Sequence, residues 1–170
     1  MRIELENLER RKGDFAHVYQ PEDLNPVDER MNLIAPATVS GRVRLSGHQV
    51  FVNGHVETRA QVECDRCLKP VELPVNADFT LEYISGSDYE SSQAVELTEE
   101  QLSVSVFDGD GIDVDEIVKE QILLAVPTRM RCREDCKGIC PECGADKNKG
   151  ECNCVTNEID PRWAALKNLT

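Results

Sequence analysis

The sequence predicts an α+β fold: an antiparallel β-meander backed by one main helix, with a C-terminal cysteine-rich lobe and a short terminal helix. Three patterns support this prediction. Apolar and polar residues alternate between Val39 and Tyr83, as they do in strands with one buried face. Residues 114–125 instead have the spacing of an amphipathic helix, and six of the eight cysteines fall between positions 132 and 154. At 170 residues, the chain is long enough for one domain with its own core and a small appendage.

The clearest strand is predicted over residues 71–83, where the odd-numbered positions are apolar. Pro74 lies inside this strand and cannot donate a ladder hydrogen bond, so we expect the strand at a sheet edge or with a bulge. Residues 56–64 alternate in the same way, and Asn53-Gly54 just before them is typical of a type I′ hairpin turn.

A third strand is indicated by Val39, Val43 and Leu45. The connections are too short for crossover helices, so the three strands are expected to form an antiparallel meander. Residues 3–5 and 15–19 are candidates for additional strands.

The sequence DVDEIVKEQILLAVP predicts a helix over residues 114–125. Asp113 and Glu116 resemble a capping box at its start, and Pro127 prevents its continuation. We expect the helix to cover the apolar face of the sheet, because neither element can bury its apolar side chains alone. The positions that trace its apolar face are Val114, Ile117, Val118, Gln121, Ile122 and Ala125.

Acidic residues are concentrated in and just after a predicted loop at about residues 85–112. The stretch from Asp88 to Glu120 has a formal charge of −10, out of −13 for the whole chain. Such a surface repels phosphate backbones and attracts basic proteins, although a simple solvated loop has the same composition.

Several enzyme classes lack their motifs here. No phosphate-binding loop, dinucleotide fingerprint or nucleophile elbow occurs. The stretch FDGDGIDVDEIVK fails the calcium-loop template, because Ile112 and Lys119 occupy ligand positions. We therefore expect a non-enzymatic protein.

The compartment decides how the cysteines are interpreted. No apolar run is long enough to span a membrane, and the first residues lack the apolar core of a secretory signal, so we expect a cytoplasmic protein. Because the cytosol keeps thiols reduced, eight cysteines indicate metal ligands or reactive thiols rather than disulfides.

The C-terminal segment CREDCKGICPECGADKNKGECNC favours a zinc site. Zinc prefers four thiolate or imidazole ligands in a tetrahedron, and Cys-Pro-x-Cys-Gly directs two sulfurs at one point. Cys140 and Cys143 are therefore the best pair, while the spacing does not choose their partners or decide between one ion and two. This segment has little apolar content of its own, so we expect metal binding and folding to be coupled. The candidate ligands are Cys132, Cys136, Cys140, Cys143, Cys152 and Cys154.

A separate Cys-x-x-Cys, Cys64 and Cys67, follows the second predicted strand. It could bind a second metal ion, supply ligands to the C-terminal cluster, act as a redox pair, or hold two ordinary thiols. Arg66 would favour a thiolate, but no helix follows to support redox chemistry.

The last residues, DPRWAALKNL, predict a helix in which Asp160 is the N-cap and Pro161 the first residue. The predicted organisation is thus an α+β domain over residues 1–128, a zinc-binding lobe over 129–156, and a docking helix over 157–170.

Taken in order, CDRCLKP, the acidic loop, DEIVKEQILLAVP, CREDCKGICPECG and DPRWAALKNL resemble the YceD family, a domain of unknown function described as large ribosomal RNA subunit accumulation protein. The resemblance implies a bacterial cytosolic protein that is encoded beside a large-subunit ribosomal protein and is needed for accumulation of the large-subunit rRNA. In the family pattern the Cys-x-x-Cys pair falls on Cys64 and Cys67, and only some members have the later cluster.

The function expected from these observations is a non-enzymatic, zinc-binding factor in large ribosomal subunit biogenesis. Its partner would be a large-subunit precursor or a basic ribosomal protein, with RNA contact by the lobe as a further option. The alternatives are a thiol redox protein that uses Cys64 and Cys67, and a structural zinc module that binds only a protein.

Overall fold

The computed structural model describes residues 1–5, 13–47, 49–86, 104–107 and 111–154. These residues form a mixed α+β fold with a mostly antiparallel sheet and few helices, as predicted. The elements are β1 (Arg2–Glu4), β2 (Gly13–Tyr19), α1 (Pro21–Leu24), β3 (Met31–Leu33), β4 (Ala37–Ser46), β5 (Gln49–Glu63), β6 (Pro70–Ser85), β7 (Val104–Phe107), β8 (Gly111–Asp113) and α2 (Val114–Ala125).

The main sheet has the strand order β2-β4-β5-β6-β7, and β3 pairs with β5 beside this path. Strands β4, β5 and β6 are the predicted meander, and all pairs are antiparallel except β6 with β7. The N-terminal segments also form strands, since β2 joins the main sheet and β1 pairs with β8 in a separate two-stranded sheet. The predicted acidic loop thus contributes two short strands, while its residues 87–103 and 108–110 lie outside the described residues.

The β5–β6 hairpin positions the first pair of cysteines. Its register runs from Gln49 opposite Ile84 to Glu63 opposite Pro70, so residues 64–69 form its tip. β7 pairs only with the end of β6, from Glu82 to Ser85. Among the described residues, Pro74 therefore has a strand partner on one side only, in agreement with the predicted edge position.

The predicted turn at Asn53-Gly54 is wrong. Both residues lie inside β5, opposite Arg42 and Gly41 of β4, and the chain instead reverses between Ser46 and Gln49. Gly54 is required for another reason: a Cβ there would lie 2.4 Å from Cζ of Phe79 on β6. The glycine leaves room for the aromatic ring, so it is needed for packing inside the sheet and not for a turn.

Helix α2 has the predicted bounds and covers the sheet. Asp113 is its N-cap, and its side chain accepts a hydrogen bond of 2.8 Å from the backbone N–H of Asp115. Val118 and Ile122 are fully buried in the same core as Val39 and Val56. Of the predicted apolar positions of the third strand, only Leu45 is exposed, because it lies near the hairpin end.

No described helix is long and apolar enough to cross a membrane. The predicted C-terminal helix of residues 157–170 lies outside the described residues.

Candidate metal centre

The eight cysteines form two groups of four, each compact enough to surround one ion. Within each group all the Sγ atoms lie within 4.8 Å of one another. We call them cluster A (Cys64, Cys67, Cys132 and Cys136) and cluster B (Cys140, Cys143, Cys152 and Cys154).

The sulfur positions in cluster A fit a tetrahedral zinc ion. The Sγ atoms of Cys64 and Cys136 are 3.9 Å apart, and those of Cys67 and Cys132 are 3.6 Å apart. A tetrahedron with Zn–S bonds of about 2.3 Å has sulfurs about 3.8 Å apart. All eight cysteines are free thiols, so the donor set suits zinc in both clusters.

Each cluster begins with the same backbone turn. In cluster A the N–H of Leu68 donates to the carbonyl of Cys64, and the N–H of Cys64 donates to the carbonyl of Lys69, both over 2.9 Å. In cluster B the N–H of Gly144 donates to the carbonyl of Cys140 over 2.9 Å, and the N–H of Cys140 donates to the carbonyl of Ala145 over 2.8 Å.

The residue after the second cysteine of each turn has a positive φ, 58° for Leu68 and 72° for Gly144. Leucine rarely adopts this conformation, so the usual Cys-x-x-Cys-Gly signal is missing at cluster A.

The segment that contains the other two candidate ligands of cluster A is held at the hairpin tip by hydrogen bonds to Asp65 and Arg66. The N–H of Asp65 donates to the carbonyl of Met130 over 2.9 Å, and the N–H of Met130 donates back to Oδ2 of Asp65 over 2.7 Å. The Arg66 guanidinium donates to the carbonyl of Cys136 over 2.7 Å. Cluster A therefore joins the sheet to the lobe, whereas cluster B lies entirely within the lobe.

The thiols of cluster A do not ionise independently. Burial raises the pKa of Cys64, but the backbone N–H groups of Arg66, Cys132 and Cys67 outweigh it and lower that pKa to about 6. Partial desolvation by the surrounding cluster, together with the neighbouring thiols, raises the pKa of Cys132 to about 12. Four thiolates at this separation repel one another, so a bound cation is needed to stabilise all four.

Cluster B has the same asymmetry with more exposure. The backbone N–H groups of Cys143 and Glu142 lower the pKa of Cys140 to about 6, whereas the Cys143 side chain and burial raise that of Cys154 to about 12. Cys143 is exposed, and Cys152 and Cys154 are half-buried, while three of the four cysteines of cluster A are buried.

The structure divides the eight cysteines in chain order, with the first four in cluster A and the last four in cluster B. The spacing left open which cysteines join Cys140 and Cys143; in the structure these are Cys152 and Cys154. Cys132 and Cys136 lie beside Cys64 and Cys67 instead, one of the arrangements that the sequence allowed. The sequence did not contain a signal for this division, because it depends on contacts between the hairpin tip and residue 130.

Comparison with known proteins places the chain in a family. The family model described as "Large ribosomal RNA subunit accumulation protein YceD" matches residues 52–170, a stretch that includes both clusters. The chain belongs to the YceD family. The resemblance to this family that the sequence motifs indicated is therefore confirmed.

Relatives of this YceD protein include an uncharacterized protein of Mycobacterium tuberculosis, which is 35% identical over 74% of this chain and 58% of the relative. The chain thus spans less than two thirds of the length of that relative. The uncharacterized protein YlbN of Bacillus subtilis is 26% identical over 98% of this chain and 92% of its own length. A chloroplastic protein of Arabidopsis thaliana, described as a large ribosomal RNA subunit accumulation protein YCED homologue, is 34% identical over 34% of this chain and 18% of its own length. No solved structure matches the chain.

Proposed function

We propose that this protein is a non-enzymatic factor that binds two zinc ions and supports biogenesis of the large ribosomal subunit and accumulation of its rRNA. The observation that carries the proposal is the pair of four-cysteine clusters in a chain of the YceD family. The family description and the chloroplastic relative both refer to accumulation of the large ribosomal RNA.

The ligand sets support a structural role for zinc. Catalytic zinc sites keep one coordination position open for water or substrate, whereas four cysteines fill the tetrahedron. Each cluster supplies four sulfurs, so neither leaves room for a reacting group. The metal would instead stabilise the folded conformation of the lobe and attach the lobe to the β5–β6 hairpin.

Charge favours a basic protein over RNA as the direct partner. The lobe of residues 129–156 has a formal charge of +1 when its thiols are neutral. A zinc ion with four thiolates has a formal charge of −2. If both loaded clusters are counted with the lobe, its formal charge falls from +1 to −3. The acidic stretch from Asp88 to Glu120 adds further negative charge to the protein. A basic ribosomal protein of the large subunit is therefore the favoured partner.

Depletion of the protein in a bacterial host that encodes it tests the function. We expect the ratio of large-subunit to small-subunit rRNA to fall and to recover with the wild-type protein. A variant with Cys64→Ser and Cys67→Ser should not restore the rRNA ratio. A variant with Ser40→Ala, at an exposed position of β4, should restore it. An unchanged rRNA ratio after depletion would contradict the ribosomal role.

Affinity purification at low and high salt identifies the partner. We expect a basic large-subunit protein to be recovered and to dissociate as salt rises. Recovery of an unrelated protein alone would favour a structural zinc module with another role. Reversible oxidation of Cys64 and Cys67 in zinc-free protein isolated from cells would favour the thiol redox alternative.

A further inference from the structure

One asparagine of the lobe lies between the two clusters. Asn148 belongs to the connector between Cys143 and Cys152, the segment that cluster B closes into a loop. Its Nδ2 nevertheless lies 3.5 Å from Sγ of Cys136, a member of cluster A. Asn148 is therefore part of the cluster B loop and also a hydrogen-bond donor to a cluster A sulfur.

The Asn148 side chain is held in this orientation from both ends. Its Oδ1 accepts hydrogen bonds from the backbone N–H of Lys137 and from the Arg133 guanidinium, each over 2.8 Å. Its Nδ2 also donates to Oδ1 of Asp146 over 2.8 Å. Such fixation matters because second-shell hydrogen bonds to a metal ligand set its orientation and basicity.

Other contacts connect the same loop to cluster A. Oδ2 of Asp146 lies 2.8 Å from Nζ of Lys69, which follows the first cysteine pair on the hairpin. The backbone N–H of Lys147 donates to the carbonyl of Gly138 over 2.9 Å. The loop thus contacts the surroundings of both cysteine pairs of cluster A.

We infer that clusters A and B bind zinc cooperatively, with Asn148 as the positioning residue that couples them. The inference rests on the proposed zinc binding. Metal at cluster B would fix the loop at both ends and so reduce the conformational entropy that must be lost when Asn148 donates to Cys136. The same contact would then stabilise the charged thiolate of the cluster A ligand.

Electrostatic repulsion acts in the opposite direction, because each loaded cluster has a formal charge of −2. Cations at the junction offset it. Arg66 donates to the carbonyl of Cys136, Arg133 donates to Asn148, and Lys69 pairs with Asp146. We therefore expect positive coupling overall, of the 10- to 100-fold size typical of second-shell changes.

Competition between the full-length protein and a chromophoric zinc chelator measures the coupling. In the wild type we expect both ions to be released in one cooperative step. Asn148→Ala should separate release into two steps and weaken cluster A by about 10- to 100-fold. Asn153 is exposed in the same lobe and has no hydrogen bond to cluster A among the described residues, so Asn153→Ala should leave the single step unchanged.

Serine variants test reciprocity. Emptying cluster B with Cys152→Ser and Cys154→Ser should weaken zinc binding at cluster A, and emptying cluster A with Cys132→Ser and Cys136→Ser should weaken cluster B by the same factor. With Asn148→Ala already present, emptying cluster B should have little further effect. If a serine variant does not fold, the comparison of Asn148→Ala with Asn153→Ala decides alone.

The outcomes separate this inference from the proposed function. If two zinc ions bind and Asn148→Ala leaves their single release step intact, or if wild-type release occurs in two independent steps, the coupling is wrong and zinc binding stands. If the wild-type protein binds no zinc, the proposed function is wrong as well.

Discussion

Two glycines of the lobe provide a matched test of the turn that we propose to bind metal. An added Cβ at Gly144 or at Gly150 would meet no atom within 4 Å in the part of the chain that the structure describes, apart from its chain neighbours. Of these two, Gly144 alone has a positive φ, of 72°, and it lies in the turn that contains Cys140 and Cys143. Substitution by alanine therefore changes only the backbone preference at each site.

The expected effects have opposite signs. A non-glycine residue in the left-handed region costs about 1–2 kcal/mol, while replacing glycine recovers about 0.4–1 kcal/mol from the unfolded chain. Gly144→Ala should thus cost about 1 kcal/mol, and Gly150→Ala should stabilise the lobe by about 0.5 kcal/mol. Under the proposed coupling of lobe folding to metal binding, Gly144→Ala should bind zinc at cluster B about fivefold more weakly. Gly150→Ala should bind it about twofold more tightly.

The assay is zinc competition with a chelator on the full-length protein, and the equivalent position in cluster A supplies an internal check. Leu68 has a φ of 58°, so Leu68→Gly should bind zinc more tightly than Leu68→Ala, the reverse of the usual preference for alanine. Equal effects of Gly144→Ala and Gly150→Ala would refute the assignment of this turn as a metal-binding element.

Three further predictions concern cluster A, the sheet and pH. Cys136→Ser should lower bound zinc from two ions to one per chain by elemental analysis at saturating zinc, because Cys136 belongs to cluster A alone; retention of two ions would contradict the division into clusters. Gly54→Ala should lower the free energy of unfolding in urea by about 1–3 kcal/mol, because the added Cβ would overlap the Phe79 ring. In the double variant, Phe79→Leu should reduce the loss caused by Gly54→Ala. Burial, with Glu120 and Glu116, raises the pKa of Tyr83 to about 12, so the unfolded chain loses this proton first as pH rises. Stability should therefore fall between about pH 10 and 12, and Tyr83→Phe should flatten that part of the curve; an unchanged slope would count against the buried environment.

The elements were predictable from sequence where local patterns determine them. Helix α2 has its predicted bounds because Asp113 caps it and its apolar face is continuous. The meander followed from alternation along β5 and β6. The Asn53-Gly54 dipeptide matched a turn pattern, but its glycine makes room for the Phe79 ring inside the sheet.

The division of the cysteines was not predictable in the same way. Cys132 and Cys136 are closest in sequence to Cys140, but the contacts between Asp65 and Met130 place them at the hairpin tip. Leu68 also occupies the position where glycine would have marked the first turn as equivalent to the second. Tertiary contacts thus decided what spacing left open.

Metal content per chain tests the central claim most directly. Protein purified without added metal should contain two zinc ions per chain, and its eight thiols should become reactive only after chelation or denaturation. A zinc-free protein whose residues 129–154 are nevertheless ordered would contradict the account, since those residues would then fold without the ions proposed to hold them.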